Sequence, residues 1–178
     1  YVAEFMTHTI RKIANGTVSN LAGASFLSGD VDGTGALARF DHPHSLAIAK
    51  DGSLLVSDVF NNKIKRVSSA GVVTTYAGSG IAGFANGTAT SAQFDFPLGL
   101  AIDSTGGVYV GDINNYIIRK IAAGVVSTFA GTQGTSGFAD GPALQAQFNS
   151  PSGLAFNFAE NAIWIGDEGN ELLRKTTL

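Results

Sequence analysis

The chain has 178 residues, enough to bury a sizeable core, and 44% of them are apolar. Charged residues make up only 14%, well under the usual share of roughly 25%, and the net charge of −3 argues against a surface that tracks phosphates. Cysteine is absent, which removes disulfides, thiol catalysis and thiolate metal sites, and no apolar run is long enough to span a membrane as a helix.

In chain order, Tyr1-Val2-Ala3-Glu4 reads as a short strand, followed by a strand around Arg11-Lys12, an Asn15-Gly16 turn and a strand from Thr17. Phe40-Asp41-His42-Pro43 then opens a unit that returns as Phe94-Asp95-Phe96-Pro97 and as Phe148-Asn149-Ser150-Pro151, each 54 residues apart. Asp32-Gly33, Asn86-Gly87 and Asp140-Gly141 keep the same interval of 54. Self-similarity at such a period marks a propeller, a solenoid or an array. Leu98 to Gly131 shows one unit clearly, with Gly99–Asp103, Val108–Asp112, Ile117–Ile121 and Val125–Gly131 separated by Gly, Asn and Ser turns. No stretch carries helical periodicity, so each unit is expected to be a four-stranded antiparallel meander. The last unit ends after Leu173-Arg174-Lys175.

The first two strands of each unit are apolar at nearly every residue. In an antiparallel sheet this means that both faces are covered, as happens when sheets are arranged radially as blades. Third strands carry adjacent cations, Lys65-Arg66 and Arg119-Lys120, and are expected nearer the rim, with the long side chains reaching water.

The pattern F-x-x-P-x-G-L-A, then Y-V-A/G-D-x-x-N-x-x-I-R-K-I, then V-S-T-x-A-G, resembles the NHL-repeat family of β-propellers. The resemblance covers essentially the whole chain. It departs at Glu4, where other copies have Asp, at His44-Ser45 in place of a Gly like Gly99 or Gly153, and at Glu168-Gly169-Asn170-Glu171. It implies an all-β fold with an incomplete ring of about three and a half blades. The units are a partial blade over residues 1–23 (strands two to four), blades over 40–78 and 94–131, and a partial blade over 148–178 (strands one to three). Three arrangements are compatible: a piece of a longer propeller, favoured by a first residue that is not Met, an assembly of several copies, or a closed four-bladed ring. In an open arc Val2, Ile10, Trp164 and Ile165 are expected to be partly exposed, and the incomplete ends to meet other proteins or copies of the chain.

Asp58, Asp112 and Asp167, with Glu4, occur once per unit after the second strand, which marks a blade device: turn carboxylates, paired with third-strand cations such as Arg119 or Arg174. Asp32, Asn86 and Asp140 read as turn formers. His42 and His44 are candidates to face the central channel, but Leu98 and Ser152 at the positions matching His44 add no ligands, so no metal site is expected. Asn15-Gly16-Thr17 and Asn86-Gly87-Thr88 are candidate glycosylation acceptors. Nine of eleven Lys and Arg lie in or beside third strands, spread around the ring, which disfavours nucleic acid. No catalytic or phosphate-cradling motif appears and no cofactor is implied. The expectation is a non-catalytic module for protein or glycan binding or for structural assembly, part of a larger extracellular protein or multimer. The alternatives are a fragment of a metal-dependent propeller lyase or lactonase and, further off, an RNA-binding NHL propeller.

Overall fold

Runs of β-branched and aromatic residues between Gly, Asn and Ser turns become the sixteen strands of a computed structural model that describes residues 1–178. Blade one holds β1 (Val2–Glu4), β2 (Thr9–Ala14) and β3 (Thr17–Ala22). Blade two holds β4 (Gly33–Thr34), β5 (Pro43–Ile48), β6 (Leu54–Asp58), β7 (Lys63–Val67) and β8 (Val72–Ala77). Blade three repeats it with β9 (Gly87–Thr88), β10 (Pro97–Ile102), β11 (Val108–Asp112), β12 (Ile117–Ala122) and β13 (Val125–Ala130). Blade four stops at three: β14 (Pro151–Asn157), β15 (Ala162–Asp167) and β16 (Leu172–Thr177).

All pairing is antiparallel, and the four sheets form an arc that does not close. The two full blades carry a fifth strand that the sequence does not announce. In each, a Gly-Thr dipeptide of the linker (β4 or β9) pairs with the outer strand of the blade it is about to enter. Such a dipeptide has no strand signature of its own; it becomes one because the linker runs along that edge.

The core is three apolar layers, one between each pair of neighbouring blades. Alternation along a strand sends successive residues to opposite layers. Leu54 and Val56 pack toward blade one with Ile10 and Phe40, while Leu55 packs toward blade three with Phe94 and Val110. In the same way Val108 and Val110 face blade two, whereas Tyr109 faces blade four with Phe148 and Ile165. Phe40, Phe94 and Phe148 are buried at matching places, one per layer. Ile10 and Ile165 are therefore buried, against expectation, because both point inward along the arc; Val2, Leu172 and Leu173 are the exposed ones. Trp164 is half-buried under the Lys175 ammonium.

Near the axis the blades approach backbone to backbone. A Cβ at Gly99 would lie 2.3 Å from the Ser152 carbonyl oxygen, and one at Gly111 would lie 2.1 Å from that of Pro151. Ser45 stands in the Gly99 position of blade two, and its hydroxyl accepts the Leu100 N–H at 3.1 Å. Truncating Phe94 to Ala should cost about 3–5 kcal/mol in urea-unfolding midpoints, since it empties the layer between the two full blades.

Candidate functional site

Three kinds of side chain recur around the arc with chemistry to offer: a carboxylate, a cation and a residue in the left-handed conformation. Asp58, Asp112 and Asp167 end their second strands fully buried. In each, one oxygen accepts the N–H of the residue that follows the buried aromatic: Asp41 at 2.6 Å, Asp95 at 2.8 Å and Asn149 at 2.7 Å. The other oxygen takes a donor from the same blade. For Asp112 that donor is Arg119 at 2.8 Å; for Asp167 it is Arg174 and Asn170, both at 2.9 Å. Asp58 takes only Asn61, at 2.8 Å, because the blade-two cation is the shorter Lys65.

These cations are not solvated at the rim. Arg119 is 0% and Lys65 1% exposed, whereas their neighbours Lys120 and Arg66 stay on the wetter face. Arg119 also donates to the carbonyls of Gln93 and Ala85 and to Asn86, and its guanidinium lies 5.1 Å from the Phe94 centroid. Lys65 instead reaches Asp30 at 2.6 Å and Asp32 at 2.8 Å, and Arg174 reaches Asp140 at 2.5 Å. Asp32, Asn86 and Asp140 thus serve as partners of the buried cation beyond any turn role. Their separation in sequence, 33 or 34 residues from that cation, hides this. In blade one Glu4 and Arg11 keep the pair at 3.2 Å.

Burial pushes the Asp58 carboxyl up to about 7, against the hydrogen bonds of Asn61 and Asp41 and the pull of Lys65. Burial likewise lifts Asp112 to about 6, against the Asp95 N–H and Arg119. Asp103, which sequence reasoning passed over, goes the other way. Burial opposes its charge, but donors from Thr105, Gly107 and Tyr109 outweigh it and hold the carboxyl at about 2.

The histidines belong to the joints between blades. His8 has φ +58° at the end of the turn after β1, and its Nδ1 accepts the His42 N–H at 3.1 Å. Asn62 does the same one blade on, taking the Phe96 N–H at 3.1 Å. His42 Nδ1 bonds Asp41 at 2.7 Å. His8, Asp41 and His42 form the one cluster with metal-ligand spacing, yet each of the three already has a ligand atom engaged in these hydrogen bonds. His44 is exposed against the edge of Phe5. Asn15 and Asn86 are both exposed, with the Asn86 carboxamide oxygen held by Arg119 at 2.8 Å. No helix is long and apolar enough to cross a membrane.

What sequence reasoning missed is a row of aromatic rings on the face where second strands end. Phe5 and His42 lie 4.5 Å apart by centroids, His42 and Phe60 4.2 Å, and Phe60 and Phe96 5.4 Å. The signal was available: these rings occupy turn and lead-in positions that in the last blade hold Glu168, Gly169 and Ser150.

Radial antiparallel blades joined by such nodes define a β-propeller arc. No family model matches the chain. NHL repeat-containing protein 2 of Bos taurus is 35% identical over 158 residues, 81% of this chain and 22% of that protein. Protein SUPPRESSOR OF QUENCHING 1, chloroplastic, of Arabidopsis thaliana is 37% identical over 131 residues, 68% of this chain and 12% of that protein. A Bacteroides thetaiotaomicron structural genomics protein of unknown function superimposes with a TM-score of 0.80 at 25% identity, over 96% of this chain and 42% of its own. A streptogramin B lyase shares the fold, with a TM-score of 0.60 at 16% identity, over 98% of this chain and 49% of its own. The chain belongs to the NHL-repeat β-propeller family, and it spans about a fifth or less of these curated relatives.

Two outcomes test the node. Arg119→Met strands the buried Asp112 and should cost about 3–5 kcal/mol in denaturant melts, against about 0–1 for Arg66→Met at the surface. Between pH 5 and 8 stability should fall as pH rises. Folded Asp58 and Asp112 titrate at about 7 and about 6, well above an ordinary carboxyl, so the folded state holds protons that the unfolded chain releases. Their contribution is complete below the unfolded value and is lost on passing through the folded ones. Melting temperatures across this range should flatten in Asp58→Asn.

Proposed function

We propose that the chain is a non-catalytic stretch of NHL propeller that serves protein or glycan binding or structural assembly within a larger extracellular protein or multimer. The observation that carries this reading is the fate of the repeated carboxylates and cations. Asp112 and Arg119, like Asp167 and Arg174, are spent on backbone N–H groups, carbonyls and each other, while in blade two Asp58 is taken by the Asp41 N–H and Asn61, and Lys65 by Asp30 and Asp32. A fragment of a propeller enzyme would instead turn the repeated acids of several blades toward one substrate. The sparse charge supports a setting outside the cell, and the dispersed, paired cations disfavour nucleic acid. The bare ends fit the same reading: Val2 is exposed at one end and Leu172 and Leu173 at the other, beside a cleft of about 380 Å³ lined also by Phe148 and Arg174. Further blades, other proteins or copies of the chain would cover them, as incomplete sheets require.

A direct assay separates this from the lyase or lactonase alternative. The purified chain, supplied in turn with Mg²⁺, Mn²⁺ and Zn²⁺, should open neither a streptogramin B ring nor a simple lactone faster than buffer. Turnover that disappears in His44→Ala or His42→Ala would overturn the proposal.

A further inference from the structure

Nine of the fourteen acidic side chains pair with Lys or Arg. Of the five that do not, Asp58 is buried at the end of β6. The other four, Asp41, Asp95, Glu168 and Glu171, all lie on the face where second strands end and innermost strands begin. The Asp41 carboxylate bonds His42 and lies 3.8 Å from the His8 imidazole, and that of Asp95 bonds Asn114 at 2.8 Å. The turns of this face, residues 5–8, 59–62, 113–116 and 168–171, contain no Lys or Arg. Lys63, which begins a third strand, is taken by Asp30, and Arg39, two residues before Asp41, donates to the Ala36 and Ala38 carbonyls.

The aromatic row crosses this same electronegative face. Phe60, at its centre, is 47% exposed, and Met6, its counterpart on blade one, is 70% exposed. The rings are not needed to close the joint. Between β14 and the turn after β15, the Glu168 N–H still donates to the Ser150 carbonyl at 3.1 Å and the Gly169 N–H to that of Asn149 at 2.7 Å, with no ring present. In blade two, Phe60 makes the equivalent bond to the Asp41 carbonyl at 3.1 Å. That bond is made with Phe60, with Asn114 and with Gly169 alike, so the rings are an addition to it.

From this juxtaposition we infer that the Phe5–His42–Phe60–Phe96 row is a docking surface for an arginine-bearing peptide segment of a partner protein, which deepens the binding-module reading above. A guanidinium lies flat on a phenyl ring and bonds a carboxylate with two parallel N–H groups. Asp41 and Asp95 flank Phe60 in its own blade and the next, and supply that second contact. A phosphate backbone meets the wrong sign of charge here, and a neutral sugar would leave both carboxylates without a counter-charge.

The test is fluorescence anisotropy with a labelled (Gly-Arg)₄ peptide, compared with (Gly-Lys)₄, (Gly-Glu)₄ and unlabelled cellohexaose as competitor. Arg should bind more tightly than Lys, Glu should not bind, and raising salt should weaken the complex. Phe60→Ala should weaken it about tenfold, and Asp41→Asn combined with Asp95→Asn at least as much. Asp51→Asn, on the turn between β5 and β6 at the opposite face, should leave it unchanged. Melting curves of each variant confirm that the fold is retained. Absence of saturable Arg-peptide binding, an equal loss in Asp51→Asn, or displacement by cellohexaose would each overturn the assignment. If the peptide fails while the lyase and lactone assays stay silent, this surface falls and the non-catalytic reading stands; if turnover appears, that reading falls by itself.

Discussion

In blades two to four a carboxylate buried at the end of the second strand holds the N–H of the segment leading into the innermost strand of the same blade, and the rest of the blade is arranged around that bond. Taking a charge out of water is expensive unless its lone pairs are filled. Asp112 fills them with the Asp95 N–H and Arg119, and Arg119 in turn ties down the linker carbonyls of Ala85 and Gln93. One ionic node thereby fixes the lead-in, the third strand and the linker relative to one another. Blade two shows how much variation the node tolerates. Lys65 cannot fork, so it turns to Asp30 and Asp32, and Asn61 completes Asp58 instead.

The node positions backbone, and the apolar layers supply the burial. Because each layer lies between two blades, no blade has a core of its own, and stability accrues through nearest neighbours. This explains why apolar residues fill both faces of β6 and β11, and why the outermost faces of the arc are left with Val2, Ile13, Leu172 and Leu173 exposed.

Repetition and departure carry different information in such a molecule. Where all blades agree, as at Phe40, Phe94 and Phe148, the residue is doing the work of folding. Where the blades disagree while the backbone joint stays the same, the fold has been satisfied and the side chain is free for another use. Phe60 against Gly169, and Phe96 against Ser150, are disagreements of that kind.

The strands of the repeated meander and the buried phenylalanines were legible in the sequence, because alternation, turn residues and a fixed interval are local or periodic properties. The pairing of Arg119 with Asp112 was legible too, since the two lie on adjacent strands of one hairpin, two residues apart in register. Burial of Lys65 and Arg119 was not. Adjacent cations on a strand point to opposite faces, and only packing against the next linker decides which face is closed. Nor were the cation's distant partners, Asp32, Asn86 and Asp140, or the fifth strands Gly33–Thr34 and Gly87–Thr88. Each depends on where a linker of more than a dozen residues is laid down against an edge. The sequence by itself determined the repeated unit; the tertiary structure decided which charges are buried and which aromatic rings share a face, because both follow from how neighbouring units meet rather than from what each contains.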